Sequence, residues 1–219
     1  VDDFYAAFPL GRKTLTRMRS VKTGGHYQIL NRREDREIVF RDDEDRAAFV
    51  DTIKRLLRPD LFKDSRGRPL QSFADRITLL AFCVLETHYH LVVQAHDEAA
   101  VEEFMHRLMT SYTKRFNARH NREGPLFDQP YQCVPVESRR HLKNLIPYVN
   151  ANVDDAIEYS YSSHRIYVEH ELGNMHPWCS VGEGMKLYGA VAIYLRWYDA
   201  AVTRRKARED ARRRLRRPW

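Results

Sequence analysis

Two histidines flank a tyrosine in His88-Tyr89-His90, inside an otherwise apolar stretch. In a strand, side chains at i and i+2 point to the same face, so His88 and His90 would stand side by side. Two neutral imidazoles a few ångströms apart suit a divalent metal ion. The plainer reading, a histidine pair on a solvated strand face, is commoner for such a triplet standing alone. A second group is Tyr148-Val149-Asn150-Ala151-Asn152. On a helix Tyr148 and Asn152 are i and i+4 and share a face. An amide oxygen is a hard ligand that would complete a His-His-Asn set for Mg²⁺ or Mn²⁺. A phenol one turn away would then sit beside whatever the ion polarises. Taken alone, an ordinary tyrosine and a helix-end asparagine beside Asp154-Asp155 explain these residues more simply. A zinc hydrolase is a poor alternative, because no His-Glu-x-x-His pattern occurs. No Walker-type loop is present either.

The elements that must position these groups read as follows. His26 to Leu30 is a strand entered from Gly24-Gly25. Asp42 or Asp43 caps a helix carrying Phe49, Val50, Ile53, Leu56 and Leu57, and Pro59 closes it. Lys63 to Pro69 is a polar loop. Ile77–Val84 and His88–Val93 form a hairpin, although its turn lacks the usual Gly or Asn. Asp97 caps a helix with an apolar stripe of Val101, Phe104, Met105, Leu108, Tyr112 and Phe116. Tyr131 to Val136 is a short strand. Ser138 caps a helix reaching about Ile157, with Leu142, Leu145, Ile146 and Val149 inward. Tyr188, Val191, Ala192, Leu195 and Tyr198 mark a late helix that runs into a basic tail. The order β-α-β-β-α-β-α-α predicts an α+β fold, an antiparallel sheet backed by helices.

The chain of 219 residues has 37 Lys and Arg against 30 Asp and Glu, a net charge of +7. The last sixteen residues hold nine basic and two acidic groups, so this stretch alone accounts for the excess. Such a block reads as a contact for a polyanion, or as a solubilising end. Arg12 to Lys22 adds five basic residues and no acid. No apolar run approaches the roughly 20 residues of a membrane helix. Val1 to Leu15 lacks an apolar signal core, and Cys83, Cys133 and Cys179 are too few and too scattered for a disulfide framework or a cysteine zinc site. The expected compartment is a reducing cytoplasm.

The sequence resembles the REP-associated tyrosine transposases of the single-tyrosine HUH nuclease superfamily, HUH denoting His-hydrophobic-His. The likeness runs collinearly through most of residues 22–181. Its parts are Gly24-Gly25-His26-Tyr27-Gln28-Ile29-Leu30-Asn31-Arg32, then Ile38-Val39-Phe40 before Asp42-Asp43-Glu44-Asp45-Arg46, and Phe82 through Val93 around the histidine pair. Phe104-Met105 to His120, Gly124-Pro125-Leu126-Phe127 with Tyr131, Tyr148 to Asn152, and Pro177-Trp178-Cys179-Ser180 follow. The resemblance implies a ferredoxin-like antiparallel sheet with helices packed on it, plus a C-terminal helix and basic tail. It divides the chain into a basic extension (1–21), a catalytic domain (22–181) and a C-terminal helix and tail (182–219).

By the same resemblance, His88, His90 and Asn152 would bind Mg²⁺ or Mn²⁺ and Tyr148 would be the nucleophile. The implied activity is cleavage and strand transfer of single-stranded hairpin DNA of the repetitive extragenic palindromic (REP) type, through a 5′-phosphotyrosine. The implied setting is the cytoplasm, at the nucleoid, as a monomer or homodimer. Lys22, Gly24, Gly25, Tyr27 and Arg32 lie where the family reads the hairpin's flank. Tyr131 would stack on unpaired bases. Arg204, Arg205, Arg212, Arg213 and Arg214 would contact phosphates. The alternative is a domesticated relative that holds hairpin DNA without cutting it. Four departures bear on the choice. Leu85-Glu86-Thr87 stands for Met-Pro-Asn before the first histidine, and Asn152-Val153 stands for Asn-Pro. Arg32-Arg33 stands for Arg-Gly, and Pro147 directly precedes the proposed nucleophile.

Overall fold

In the computed structural model the described residues are 21–33, 37–58, 67, 72–154, 156–172 and 176–215. Residues 12–20 of the basic stretch, Pro59, Asp155 and nearly all of the Lys63–Pro69 loop lie outside them. Strand β1 (His26–Arg32), helix α1 (Asp43–Leu57), strands β2 (Ile77–Val84) and β3 (His88–Ala95), helix α2 (Ala100–Arg119) and strand β4 (Gln132–Pro135) follow in order. The sheet runs β2-β3-β1-β4 with every neighbouring pair antiparallel. A β-α-β-β-α-β chain in this strand order is the expected ferredoxin-like arrangement. Beyond it come α3 (Arg139–Asn150), α4 (His164–Val168), a 3-10 turn (Glu169–Leu172), α5 (Val181–Met185) and α6 (Val191–Leu215). No helix among the described residues is long and apolar enough to cross a membrane.

Local chemistry sets the element ends. Asp42 caps α1, its side chain accepting from Asp45 N at 3.0 Å. Arg58, the residue before Pro59, leaves that helix in extended geometry, as a residue preceding proline favours. The second helix departs from expectation. Its cap position is Ala99, while Asp97 closes the preceding turn by accepting from Ala99 N (3.0 Å) and pairs with Arg76 (2.7 Å). The β2–β3 turn needs neither Gly nor Asn because tertiary bonds hold it. Leu85 N donates to His88 O (2.8 Å), and the Glu86 carbonyl accepts from Val39 N (2.9 Å) and Phe40 N (3.0 Å).

Ser138 caps α3 as expected, but the helix stops at Asn150 rather than near Ile157. The side chain of Asn152 folds back and donates to the carbonyls of Tyr148 (2.9 Å) and Val149 (3.1 Å), closing the helix end. Its amide competes there with the backbone N–H groups that would continue the helix. Pro147 sits inside α3. Proline has no N–H, so the carbonyl of Lys143 four residues earlier loses its helical donor. Tyr188 Oη replaces it, donating to Lys143 O at 2.8 Å.

Two packed layers cover the sheet. Phe40, Phe49, Tyr89 and Tyr112 meet ring to ring between the sheet and the α1–α2 pair. On the other face α3 packs on β2 and β3 and against α6. The basic tail is itself helical, continuous with α6 through Leu215. The buried side of α6 is Val191, Tyr194 and Ala201, whereas Ala192 of the expected stripe is exposed. Tyr188 lies in the turn before α6, so counting the stripe from it shifted the face.

A buried polar chain ties the second layer to β2. Ser163 Oγ accepts from Phe82 N (3.1 Å) and donates to Asn150 Oδ1 (2.7 Å). Asn150 Nδ2 donates to Tyr194 Oη (2.9 Å), which lies 2.8 Å from His164 Nδ1. Beside it, residues 161–163 cover the outer edge of β2 through Val84 N to Tyr161 O (2.9 Å) and Ser163 N to Phe82 O (2.9 Å).

Asn150→Ala strands two buried hydroxyls and is expected to cost on the order of 2–4 kcal/mol, read as a lower urea midpoint. A pH effect follows from the same chain. Burial pushes His164 down to about 4, whereas an unfolded imidazole takes its proton near about 6.5. Stability is therefore complete above that value and falls as pH drops toward 4, because the unfolded chain binds a proton that the native chain refuses. Urea midpoints at pH 7 and pH 5 should differ in the parent and differ less in His164→Phe.

Candidate active site

His88 and His90 point to one face of β3, their ring centroids 5.1 Å apart and their planes near perpendicular. Tyr89 between them points the other way, wholly buried. Each ring is held at Nδ1. Thr87 Oγ1 lies 2.9 Å from His88 Nδ1, and Gln28 Nε2 lies 3.4 Å from His90 Nδ1. Arg32 Nη2 lies 3.4 Å from His88 Nε2. A guanidinium only donates, so His88 Nε2 carries the lone pair and its Nδ1–H faces Thr87. That tautomer is the one a ring needs to ligate through Nε2. As placed, Gln28 Nε2 donates to His90 Nδ1; a half-turn of the amide presents Oε1 there instead and selects for His90 the tautomer of His88.

Burial pushes His88 down to about 2, helped by His90 and Arg32. Burial also pushes His90 down to about 4, with Arg32 adding to it. Both rings are therefore neutral near pH 7, the state that binds a metal. Among the described residues no three His, Cys, Asp or Glu side chains cluster as a metal site. Among the described residues, a third side-chain ligand beside the pair would be a carboxamide or hydroxyl oxygen. The donor set fits a small divalent ion.

Tyr148 is half-buried on α3, packed against the core, in the layer that covers β2 and β3. Asn152 is not on the helix with it, but two residues past its end. It stays near Tyr148 because its amide nitrogen bonds the Tyr148 carbonyl. That bond uses the nitrogen and leaves Oδ1 as the atom suited to a cation.

The expected DNA contacts are placed less uniformly. Lys22 and Gly24 are exposed at the turn into β1, where Gly24 has φ +76°. A Cβ on Gly25 would meet Tyr27 Oη at 2.5 Å, so that glycine permits the turn to close. Tyr27 is buried and accepts from Lys22 N at 2.7 Å, so it shapes the turn rather than offering a ring to DNA. Tyr131 lines a cleft of about 1560 Å³ between α2 and residues 124–131, alongside Met105, Met109 and Phe127. Arg205 is bound to Asp154 and Glu209. Arg213 is exposed and Arg204 half-buried, while the side chains of Arg212 and Arg214 lie outside those described. Gln28 and Thr87 escaped the sequence reading. The signal was there for Gln28, a buried polar residue two and four positions from Leu30 and Arg32 on one face of β1.

The hold of Tyr188 on the Tyr148 helix is testable. Tyr188→Phe frees the Lys143 carbonyl and is expected to cost about 1–2 kcal/mol. In a Pro147→Ala background, where position 147 regains a backbone N–H for that carbonyl, the same change should cost clearly less. A double-mutant cycle by chemical denaturation reads the difference.

Residues 71–152 match the family of IS200-like transposases. No curated protein matches the chain. Among solved structures it is similar to a REP-associated tyrosine transposase bound to a REP hairpin, at 14% identity over 75% of this chain and 88% of that one, with a TM-score of 0.48. It is also similar to a putative transposase from Deinococcus radiodurans, at 13% identity over 76% of this chain and 98% of that one, with a TM-score of 0.35. The segment that carries His88, His90, Tyr148 and Asn152 is thus the segment that matches the IS200-like transposases.

Proposed function

We propose that this chain is a metal-dependent, single-stranded DNA endonuclease and strand transferase of the HUH type, acting on hairpin DNA of the REP kind. The observation that carries this reading is the neutral imidazole pair, His90 buried and His88 half-buried, each with a side chain at its Nδ1, inside the segment that matches the transposases. Nε2 of His88 and His90 with Oδ1 of Asn152 would hold Mg²⁺ or Mn²⁺, which supplies charge neutralisation at the scissile phosphate.

Tyr148 Oη is the nucleophile. It gives up its proton as it attacks phosphorus, and the bond from phosphorus to the 3′ oxygen breaks. The 3′ oxygen leaves and takes a proton to become a hydroxyl, and the DNA 5′ end stays joined to Tyr148 as a phosphodiester. One phosphodiester replaces another, so the reverse attack by a 3′ hydroxyl restores a DNA strand without a nucleotide cofactor. Proper delivery of the phenol depends on α3, which Asn150 and Tyr188 fasten to their neighbours. The basic half of α6, with Arg213 exposed, supplies sequence-independent phosphate contacts, so binding weakens steeply with salt.

The test is a labelled single-stranded hairpin incubated with the protein and Mn²⁺, then denatured. A covalent adduct is expected, at least 1000-fold reduced in Tyr148→Phe and abolished by chelation. Hairpin binding without any adduct in the parent supports the binding-only alternative. An adduct that persists in Tyr148→Phe overturns the choice of nucleophile.

A further inference from the structure

Arg32 lies directly opposite His88 in the β1–β3 register. Its Nη2 reaches His88 Nε2 at 3.4 Å. Arg33, one residue on, turns away and pairs with Glu37 (2.9 Å) and Asp128 (3.3 Å), so of the two arginines it is Arg32 that meets the imidazole. The nitrogen that Arg32 faces is the one with the lone pair, because a guanidinium only donates, and Nδ1–H then points at Thr87 Oγ1, 2.9 Å away. Rotating the ring to present Nδ1 instead would break that bond.

We infer that Arg32 and a divalent cation compete for Nε2 of His88, and that a DNA phosphate relieves the competition by drawing the guanidinium away. This rests on the metal-site reading proposed above and adds to it how the site is controlled. The physical grounds are direct. Arginine stays charged at every accessible pH, so it cannot yield by losing a proton. A single charge and a double charge cannot share one lone pair, and within a few ångströms they repel strongly away from bulk water. A neutral imidazole at 3.4 Å is a weak partner for a guanidinium, whereas a phosphate accepts two parallel, charge-assisted hydrogen bonds. Arriving DNA therefore offers that guanidinium nitrogen a better partner than the imidazole and exposes the lone pair. Metal and DNA then bind with positive coupling, and each tightens the other by the same factor. The free protein would hold metal weakly, which keeps the nucleophile idle until substrate is bound.

The test measures Mn²⁺ binding by titration calorimetry on the full chain carrying Tyr148→Phe, with and without a single-stranded hairpin oligonucleotide. Arg32→Gln should bind Mn²⁺ at least tenfold more tightly than its parent when DNA is absent. Arg32→Lys, which keeps the charge, should stay near the parent. The oligonucleotide should tighten Mn²⁺ binding in the parent at least fivefold and change it less than twofold in Arg32→Gln. Equal Mn²⁺ affinity in Arg32→Gln and parent overturns the inference. His88→Ala separates the two levels. If it abolishes Mn²⁺ binding while Arg32→Gln changes nothing, the metal site stands and the competition fails. If Mn²⁺ binding survives His88→Ala, the metal-site reading fails and the competition fails with it. Should Arg32→Gln lose its fold by circular dichroism, the parent decides alone, and Mn²⁺ affinity indifferent to the oligonucleotide overturns the inference.

Discussion

The seating of Tyr89 governs the rest of this structure. Its ring is wholly buried among Phe49 and Phe127, and its hydroxyl reaches Met109 Sδ at 3.4 Å. Side chains alternate along a strand, so burying Tyr89 toward α1 and α2 obliges His88 and His90 to face the opposite layer. A slip of one residue against β1 would exchange the two sets and bury two imidazoles in a ring cluster. The candidate chemistry is thus positioned by the apolar residue between its members. The same pairing sets Arg32 opposite His88 and Leu30 opposite His90.

The second layer carries Tyr148 on a helix from a distant segment that packs on β2 and β3. Apolar burial of Leu142, Leu145, Ile146 and Val149 brings α3 onto the sheet but fixes its rotation only loosely. Directional bonds do the rest. Asn150 links the helix through Ser163 to a backbone N–H of β2, and through Tyr194 to α6. Asn152 closes the helix end on the carbonyl of Tyr148 itself. Three carboxamides, Gln28, Asn150 and Asn152, therefore fix orientations that hydrophobic packing leaves free.

Much of the fold was legible because its signals are local. Asp42 and Ser138 cap their helices as their sequence positions suggest, and the apolar run Ile77–Val84 forms its strand. The histidine pair followed from period two alone. What the sequence hid depends on partners far along the chain. The turn at Glu86 is held by Val39 and Phe40, which no turn residue announces. The helix over Tyr148 ends early because of Asn150 and Asn152, whose bonds involve tertiary neighbours or compete with the helix ladder. Tyr27 looks like a reading aromatic in one dimension and is a buried brace in three. Arg205 belongs by sequence to a cationic block and by contact to Asp154.

Pro147 and Tyr188 lie forty-one positions apart and share one carbonyl, that of Lys143. Proline at one site gives the hydroxyl at the other its purpose, and the hydroxyl makes the proline tolerable. Neither residue has a fixed worth of its own. In a lineage descending from this chain the two would change together, a helix-forming residue at 147 relaxing the demand for tyrosine at 188. The path by which such a helix drifts is therefore gated by a residue outside it.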